Sequence, residues 1–415
     1  MSAGSPGSAG HVIVGGGVSA VRAVETLREE GYDGSLTVLS AEPRLPYDRP
    51  ALSKQVLKGD DKPDSVTFHD ESWYVDRDID VRLGVRAVSL DPAEHLVKTA
   101  DGQDVTYDKV LLATGSRGQR LGVPGTDLDG VVALRTLDDS VALRDRFATR
   151  PRVVVIGAGW IGMEAAAAAR SYGCEVKVVS PAAPLIRALG DPMSRVFARA
   201  HRDNGVDLIL HAGIQELRGA TTVESVVTTD GRVFEADLVL VGIGVLPNAD
   251  IAAAARLEVD ETMAGAVVVD ASLRTSDPDV FAAGDVCAWP CAPLRNRRIH
   301  VEHWANAYDG APVAARSMLD GEATHDALPF FWSDQFDIGM EYAGHVADPA
   351  TAQLVTRGDV EGREFMAFWL VDGRLEAGMH VNVWDTIEDV QALIRSGRTL
   401  EPARLGDPDV PLNEV

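Results

Sequence analysis

HVIVGGGVSA, residues 11–20, is the stretch on which the fold turns. His11 to Val14 form a short, mostly β-branched strand that runs straight into Gly15-Gly16-Gly17-Val18-Ser19-Ala20, a match to G-x-G-x-x-G/A. Beyond it Val18, Val21, Val24 and Leu27 recur at three-residue steps, which predicts a helix over 18–30, and residues 35–40 return as a second strand. Small residues are needed between strand and helix for three reasons. The backbone must turn sharply, approach a pyrophosphate closely, and present a helix N-terminus whose free amides and partial positive charge bind it.

The pattern recurs. Arg152 to Ile156 form a β-branched strand, followed by Gly157-Ala158-Gly159-Trp160-Ile161-Gly162, an alanine-rich helix through Tyr172, and a strand from Glu175 to Ser180. The separation is far too long for a solenoid period, so these are two separate βαβ units, each able to hold one dinucleotide. Two further strand ends carry glycines, Thr114-Gly115 and Gly242-Ile243-Gly244, one before the second cradle and one well after it. That placement fits a chain that leaves a first domain, builds a second and re-enters the first. Later, Phe281-Ala282-Ala283-Gly284-Asp285 is a strand ending in Gly-Asp; its carboxylate either accepts hydrogen bonds from sugar or ribityl hydroxyls or caps a helix.

Composition narrows the function. The 415 residues, 46% hydrophobic and 25% charged, describe a globular protein of two or three domains. A formal charge of −24 repels phosphate backbones and anionic headgroups, so neither nucleic acid nor membrane is an expected partner. No apolar run approaches the roughly 20 residues of a membrane helix, and the opening ten residues lack the basic and apolar regions of a leader, so a cytoplasmic protein is expected. Three cysteines, Cys174, Cys287 and Cys291, are one short of the thiolates that hold an ordinary iron–sulfur cluster, which must then sit on a partner. His300 and His303 lie three apart without a recognisable third ligand, so no metal site is expected.

Two more segments, Pro46-Tyr47-Asp48-Arg49-Pro50-Ala51-Leu52-Ser53-Lys54 and Phe331-Trp332-Ser333-Asp334-Gln335-Phe336, complete a resemblance that runs from residue 11 to about 412. The chain resembles the two-dinucleotide flavoprotein oxidoreductases, within them the ferredoxin and rubredoxin reductases that serve haem-thiolate monooxygenases and aromatic-ring dioxygenases. The resemblance implies an α/β fold of glutathione-reductase-like plan. It would have a split FAD domain (1–115 and 246–325), a nicotinamide domain (116–245) and a C-terminal α/β domain (326–415). It implies FAD at Gly15, Gly17 and Ser19, with Glu42 near the adenosine ribose, Arg49, Arg135 and Asp285 among the remaining contacts, and Lys54 near the flavin. A helix over 302–318 is expected to point its N-terminus, with Trp304, at the flavin, where it favours negative charge on the reduced ring. For Trp304 a place in the packed core is the plainer alternative.

The second cradle would hold the nicotinamide nucleotide at Gly157, Gly159 and Gly162, with Glu164 near the nicotinamide and paired with Lys54. NADH-specific units usually end their second strand in an acid, whereas this chain has Ser180-Pro181-Ala182-Ala183-Pro184, with Arg187 further on, an arginine that suits a 2′-phosphate and also fits NADH-using relatives. NADH is the expected coenzyme by family, with NADPH open. No redox cysteine lies in 43–60, which excludes the disulfide reductases of the superfamily; Cys287 and Cys291 read as buried thiols. The implied reaction is hydride transfer from NAD(P)H to FAD, then single electrons to a small iron–sulfur ferredoxin, by a monomer or homodimer. The alternatives are an NAD(P)H oxidase or quinone reductase, a rubredoxin reductase, and a redox-sensing protein resembling apoptosis-inducing factor.

Overall fold

In the computed structural model, which describes residues 9–415, His11–Val14 is the central strand of a five-stranded parallel sheet. The reading of the opening residues as leaderless falls mostly on 1–8, outside the described residues. Across this sheet the order is Ile79–Leu83, Leu36–Ser40, His11–Val14, Lys109–Leu112, Val280–Ala282. Numbered along the chain that is 3-2-1-4-5, the Rossmann order without its sixth strand, with its switch point beside His11–Val14. The central strand is buried throughout, as a parallel strand covered on both faces must be. Helix Val18–Glu29 makes the first crossover. The crossover from strand three to strand four is instead an antiparallel meander of Ala87–Asp91, Leu96–Thr99 and Asp104–Thr106.

This sheet belongs to a unit built from the chain up to Asp48, Val66–Arg117 and Leu246–Pro329. Helix Trp304–Met318 packs along Val18–Glu29 here, and Ser19 Oγ donates to the Ala307 carbonyl at 3.0 Å. The helix starts two residues later than its sequence predicts, because His303 is still extended at φ −103°, ψ 136°.

A second unit comprises Arg49–Ser65, Gly118–Val245 and Phe330–Val415. Its parallel sheet runs Val206–Leu210, Glu175–Ser180, Arg152–Ile156, Leu238–Val241, Val131–Val132. The first four strands repeat the 3-2-1-4 frame, helix Trp160–Ser171 makes the first crossover, and a meander of Ile214–Arg218, Ser225–Thr228 and Val233–Glu235 again replaces a helix before the fourth strand. The C-terminal part is an antiparallel sheet, ordered Phe330–Gln335, Ile338–Gly344, Arg374–Val381, Glu364–Val371, Gln353–Asp359, with helix Ile387–Ser396 packed on it. Met193 and Phe197 of helix Asp191–Asp203 share a buried apolar cluster with Met340, Phe365 and Trp369 of that sheet, and Trp369 Nε1 donates to the Leu189 carbonyl at 3.2 Å. The protein is thus an α/β chain with two Rossmann-like sheets and a C-terminal sheet-and-helix domain.

Candidate active site

The three glycines of the second cradle are there for three different reasons. Gly157 has φ +103°, and a Cβ there would stand 2.3 Å from the Gly242 carbonyl oxygen, so the turn itself demands glycine. A Cβ at Gly162 would meet the Gly157 oxygen at 2.5 Å; this glycine lets helix and strand pack closely. Gly159 is under neither constraint: its φ of −81° suits any residue, and an added Cβ meets nothing within 4 Å. Bare backbone facing open space, at the head of a helix with no side-chain cap and no acid in its first turn, fits the close approach of a pyrophosphate. The first cradle has the same turn at Gly15, with φ +144°, and Gly17 stands at the uncapped head of Val18–Glu29.

One turn into helix Trp160–Ser171, the Glu164 carboxylate is the centre of a buried polar knot. Lys54 Nζ lies 3.0 Å from both its oxygens, the pairing that the sequence suggested. Ser53 Oγ donates to Oε2 at 2.5 Å, Ser333 Oγ donates to Oε1 at 2.7 Å, and Gln335 Nε2 supports the Ser333 hydroxyl at 2.9 Å. All five side chains are buried, Glu164 being 4% exposed and Lys54 6%. Every neighbour donates to the carboxylate, and these hydrogen bonds with the Lys54 ion pair offset the cost of burying the polar groups. Lys54 Nζ also stands 6.0 Å from the centre of the Trp332 ring. Ser53, Ser333 and Gln335 had no assigned role in the sequence, although all three lie in the two segments that carried the resemblance.

The other expected residues divide between the two units. In the first, Glu42 Oε2 accepts from Tyr47 Oη at 2.6 Å, and the Asp285 carboxylate accepts from Ser116 Oγ at 2.7 Å beside the tight Gly284 turn. Trp304 opens its helix and stacks on Tyr308, with ring centres 4.8 Å apart. His325 Nε2 donates to Asn306 Oδ1 at 3.0 Å, and burial pushes the imidazole pKa down to about 4, so it is neutral at pH 7. In the second unit Arg49 donates to the Arg135 carbonyl at 2.8 Å.

All three cysteines are buried and none is in a disulfide. Burial drives the Cys287 thiol up to about 12 and raises that of Cys174, so neither is a thiolate nucleophile. Among the described residues there is no metal-binding group of His, Cys, Asp and Glu, and no helix is long and apolar enough to cross a membrane.

Comparison with known proteins agrees with this geometry. Residues 10–311 match the pyridine nucleotide-disulphide oxidoreductase family and residues 330–415 the reductase C-terminal family. With no cysteine in a disulfide, the disulphide of the first family's description has no counterpart here. The chain is 40% identical to the anthranilate 1,2-dioxygenase system ferredoxin–NAD(+) reductase component of Burkholderia cepacia, over 97% of this chain and 98% of that protein. The ferredoxin reductase for the CYP199A2 system from Rhodopseudomonas palustris superposes with a TM-score of 0.91 at 34% identity, covering 97% of this chain and 98% of that one. The covalent putidaredoxin reductase–putidaredoxin complex gives 0.92 at 31%, covering 98% and 97%. With two Rossmann-like cradles, a reductase-type C-terminal domain and relatives matched along nearly their whole length, the chain belongs to the FAD-dependent NAD(P)H–ferredoxin reductases of the putidaredoxin and dioxygenase-reductase type.

Proposed function

We propose that the chain oxidises NADH and passes the electrons, through FAD, to a small iron–sulfur ferredoxin that feeds a haem-thiolate monooxygenase or ring-hydroxylating dioxygenase. The plan is that of glutathione reductase, with FAD held by the domain of 1–115 and 246–325 and the nicotinamide nucleotide by that of 116–245. The observation that carries the reading is Gly159, whose missing side chain serves no need of the fold. When bound, FAD supplies the redox chemistry, taking a hydride and releasing electrons singly. The chain's own residues hold and orient. Gly15, Gly17 and the uncapped amides behind them take the FAD pyrophosphate, and Glu42 its ribose. Asp285, Ser19, Arg49 and Arg135 complete the FAD contacts, and the N-terminus of Trp304–Met318 favours negative charge on the ring. Gly157, Gly159 and Gly162 take the coenzyme pyrophosphate. Lys54 and Glu164 fix the electrostatics where the nicotinamide reacts. The names of the relatives, ferredoxin–NAD(+) reductases of dioxygenase systems, support the acceptor and the coenzyme.

The purified chain should carry about one FAD and no stoichiometric iron. In stopped flow, NADH-reduced protein should be reoxidised quickly by ferredoxin and slowly by oxygen. Release of FMN, or fast oxygen consumption without ferredoxin reduction, would sink the proposal.

A further inference from the structure

The two cradles repeat one frame, so each serves as a control for the other. Strands Leu36–Ser40 and Glu175–Ser180 both end on a serine. Two residues further stand Glu42 in the first cradle and Ala182 in the second. Around Glu42 the corner is built: Ser40 Oγ donates to its carbonyl at 3.3 Å and Tyr47 Oη to its carboxylate at 2.6 Å. At the second corner Ser180 Oγ accepts from the Ala182 amide at 3.3 Å, and a methyl group follows where the carboxylate would be. An acid at this corner does two things in a Rossmann unit: it binds the ribose diol of NADH and repels the 2′-phosphate of NADPH. Ala182 does neither.

The loop that carries the corner, residues 181–190, contains no Asp or Glu, and acids resume directly past it and past the neighbouring loops, at Asp191, Glu164 and Glu216. Two basic residues, His211 and Arg187, lie in these loops. His211 directly follows Leu210, the register partner of Ser180, and the Ala212 amide donates to the Ser180 carbonyl at 3.1 Å. The 181–185 loop is tied back to the glycine turn by the Leu185 amide, which donates to the Ala158 carbonyl at 3.0 Å. Two residues on, Arg187 is exposed and makes no ion pair among the described residues.

Given the reading above, in which this cradle takes the nicotinamide coenzyme, we infer that its ribose corner accepts a 2′-phosphate on Arg187 and that the enzyme uses NADPH as well as NADH. A guanidinium meets a phosphate with paired, charge-assisted hydrogen bonds. Nothing at the corner rejects the unphosphorylated ribose, so NADH is retained.

The test compares kcat/KM for the two coenzymes on the holoenzyme, with calorimetric binding of 2′,5′-ADP and 5′-AMP beside it. The two kcat/KM values should lie within about tenfold of each other, and 2′,5′-ADP should bind at least as tightly as 5′-AMP. Arg187→Ala should lower the NADPH/NADH ratio about tenfold, Arg187→Lys less, and Ala182→Glu about a hundredfold by restoring the repelling carboxylate. A hundredfold native preference for NADH, or a ratio indifferent to Arg187→Ala, overturns the inference. If neither coenzyme reduces the flavin, the proposed function falls, and the relative affinity of the two nucleotides still decides the corner.

Discussion

At the scale of single residues, the knot around Glu164 joins stability to chemistry. Removing the Lys54 ammonium leaves a buried carboxylate without its cation, a change that costs about 3–5 kcal/mol in comparable sites. It also deletes the fixed positive charge assigned to the nicotinamide end, where electrostatics is worth more than in water. Lys54→Ala should therefore slow flavin reduction by NADH about tenfold or more while FAD content per chain falls much less. Rapid-mixing absorbance at the flavin band, beside the flavin-to-protein ratio, measures both; an unchanged reduction rate would remove Lys54 from the chemistry. The pair itself was legible, since both residues sat in recognisable motifs. Ser53, Ser333 and Gln335 were not, because nothing local to positions 53, 164 and 333 says that their side chains converge.

At the scale of elements, the glycines of the second cradle separate fold from ligand. Gly159→Ala puts a methyl into open space at an ordinary φ and should shift unfolding free energy by no more than about 1 kcal/mol. Its KM for NADH should rise about tenfold, because the methyl holds the pyrophosphate off the backbone. Gly162→Ala drives a Cβ to 2.5 Å from the Gly157 oxygen and should cost about 1–3 kcal/mol. Thermal melts with NADH kinetics check the pair, and a Gly159→Ala protein that melts as early as Gly162→Ala would show that the first glycine also serves the fold. Strand, turn and helix of both cradles were readable from period and glycine spacing. The meanders at 87–106 and 214–235 were not, since their strands are three to five residues long and half exposed, too short to show a clean alternation.

At the scale of the molecule, charge and connectivity dominate. The sequence divided the chain at 115 and 245, and nothing in its composition marks 49–65, which groups with 118–245 through contacts such as Ser140 Oγ to the Leu52 carbonyl at 2.7 Å. The net charge of −24, with 17 acids against six arginines and no lysine in 326–415, repels an acidic ferredoxin. The densest cationic stretch is Arg295, Arg297 and Arg298, with Arg298 also paired to Asp260 at 3.2 Å. Replacing all three by alanine should raise KM for an acidic ferredoxin several-fold and flatten its dependence on salt, while flavin reduction by NADH keeps its rate. Ferredoxin kinetics indifferent to the replacement would place docking elsewhere. The three buried cysteines carry a practical corollary. Towards maleimides and iodoacetamides the native protein should be a blank, so a cysteine introduced at an exposed position becomes a unique handle for a spin label or fluorophore without first stripping the chain of its own thiols.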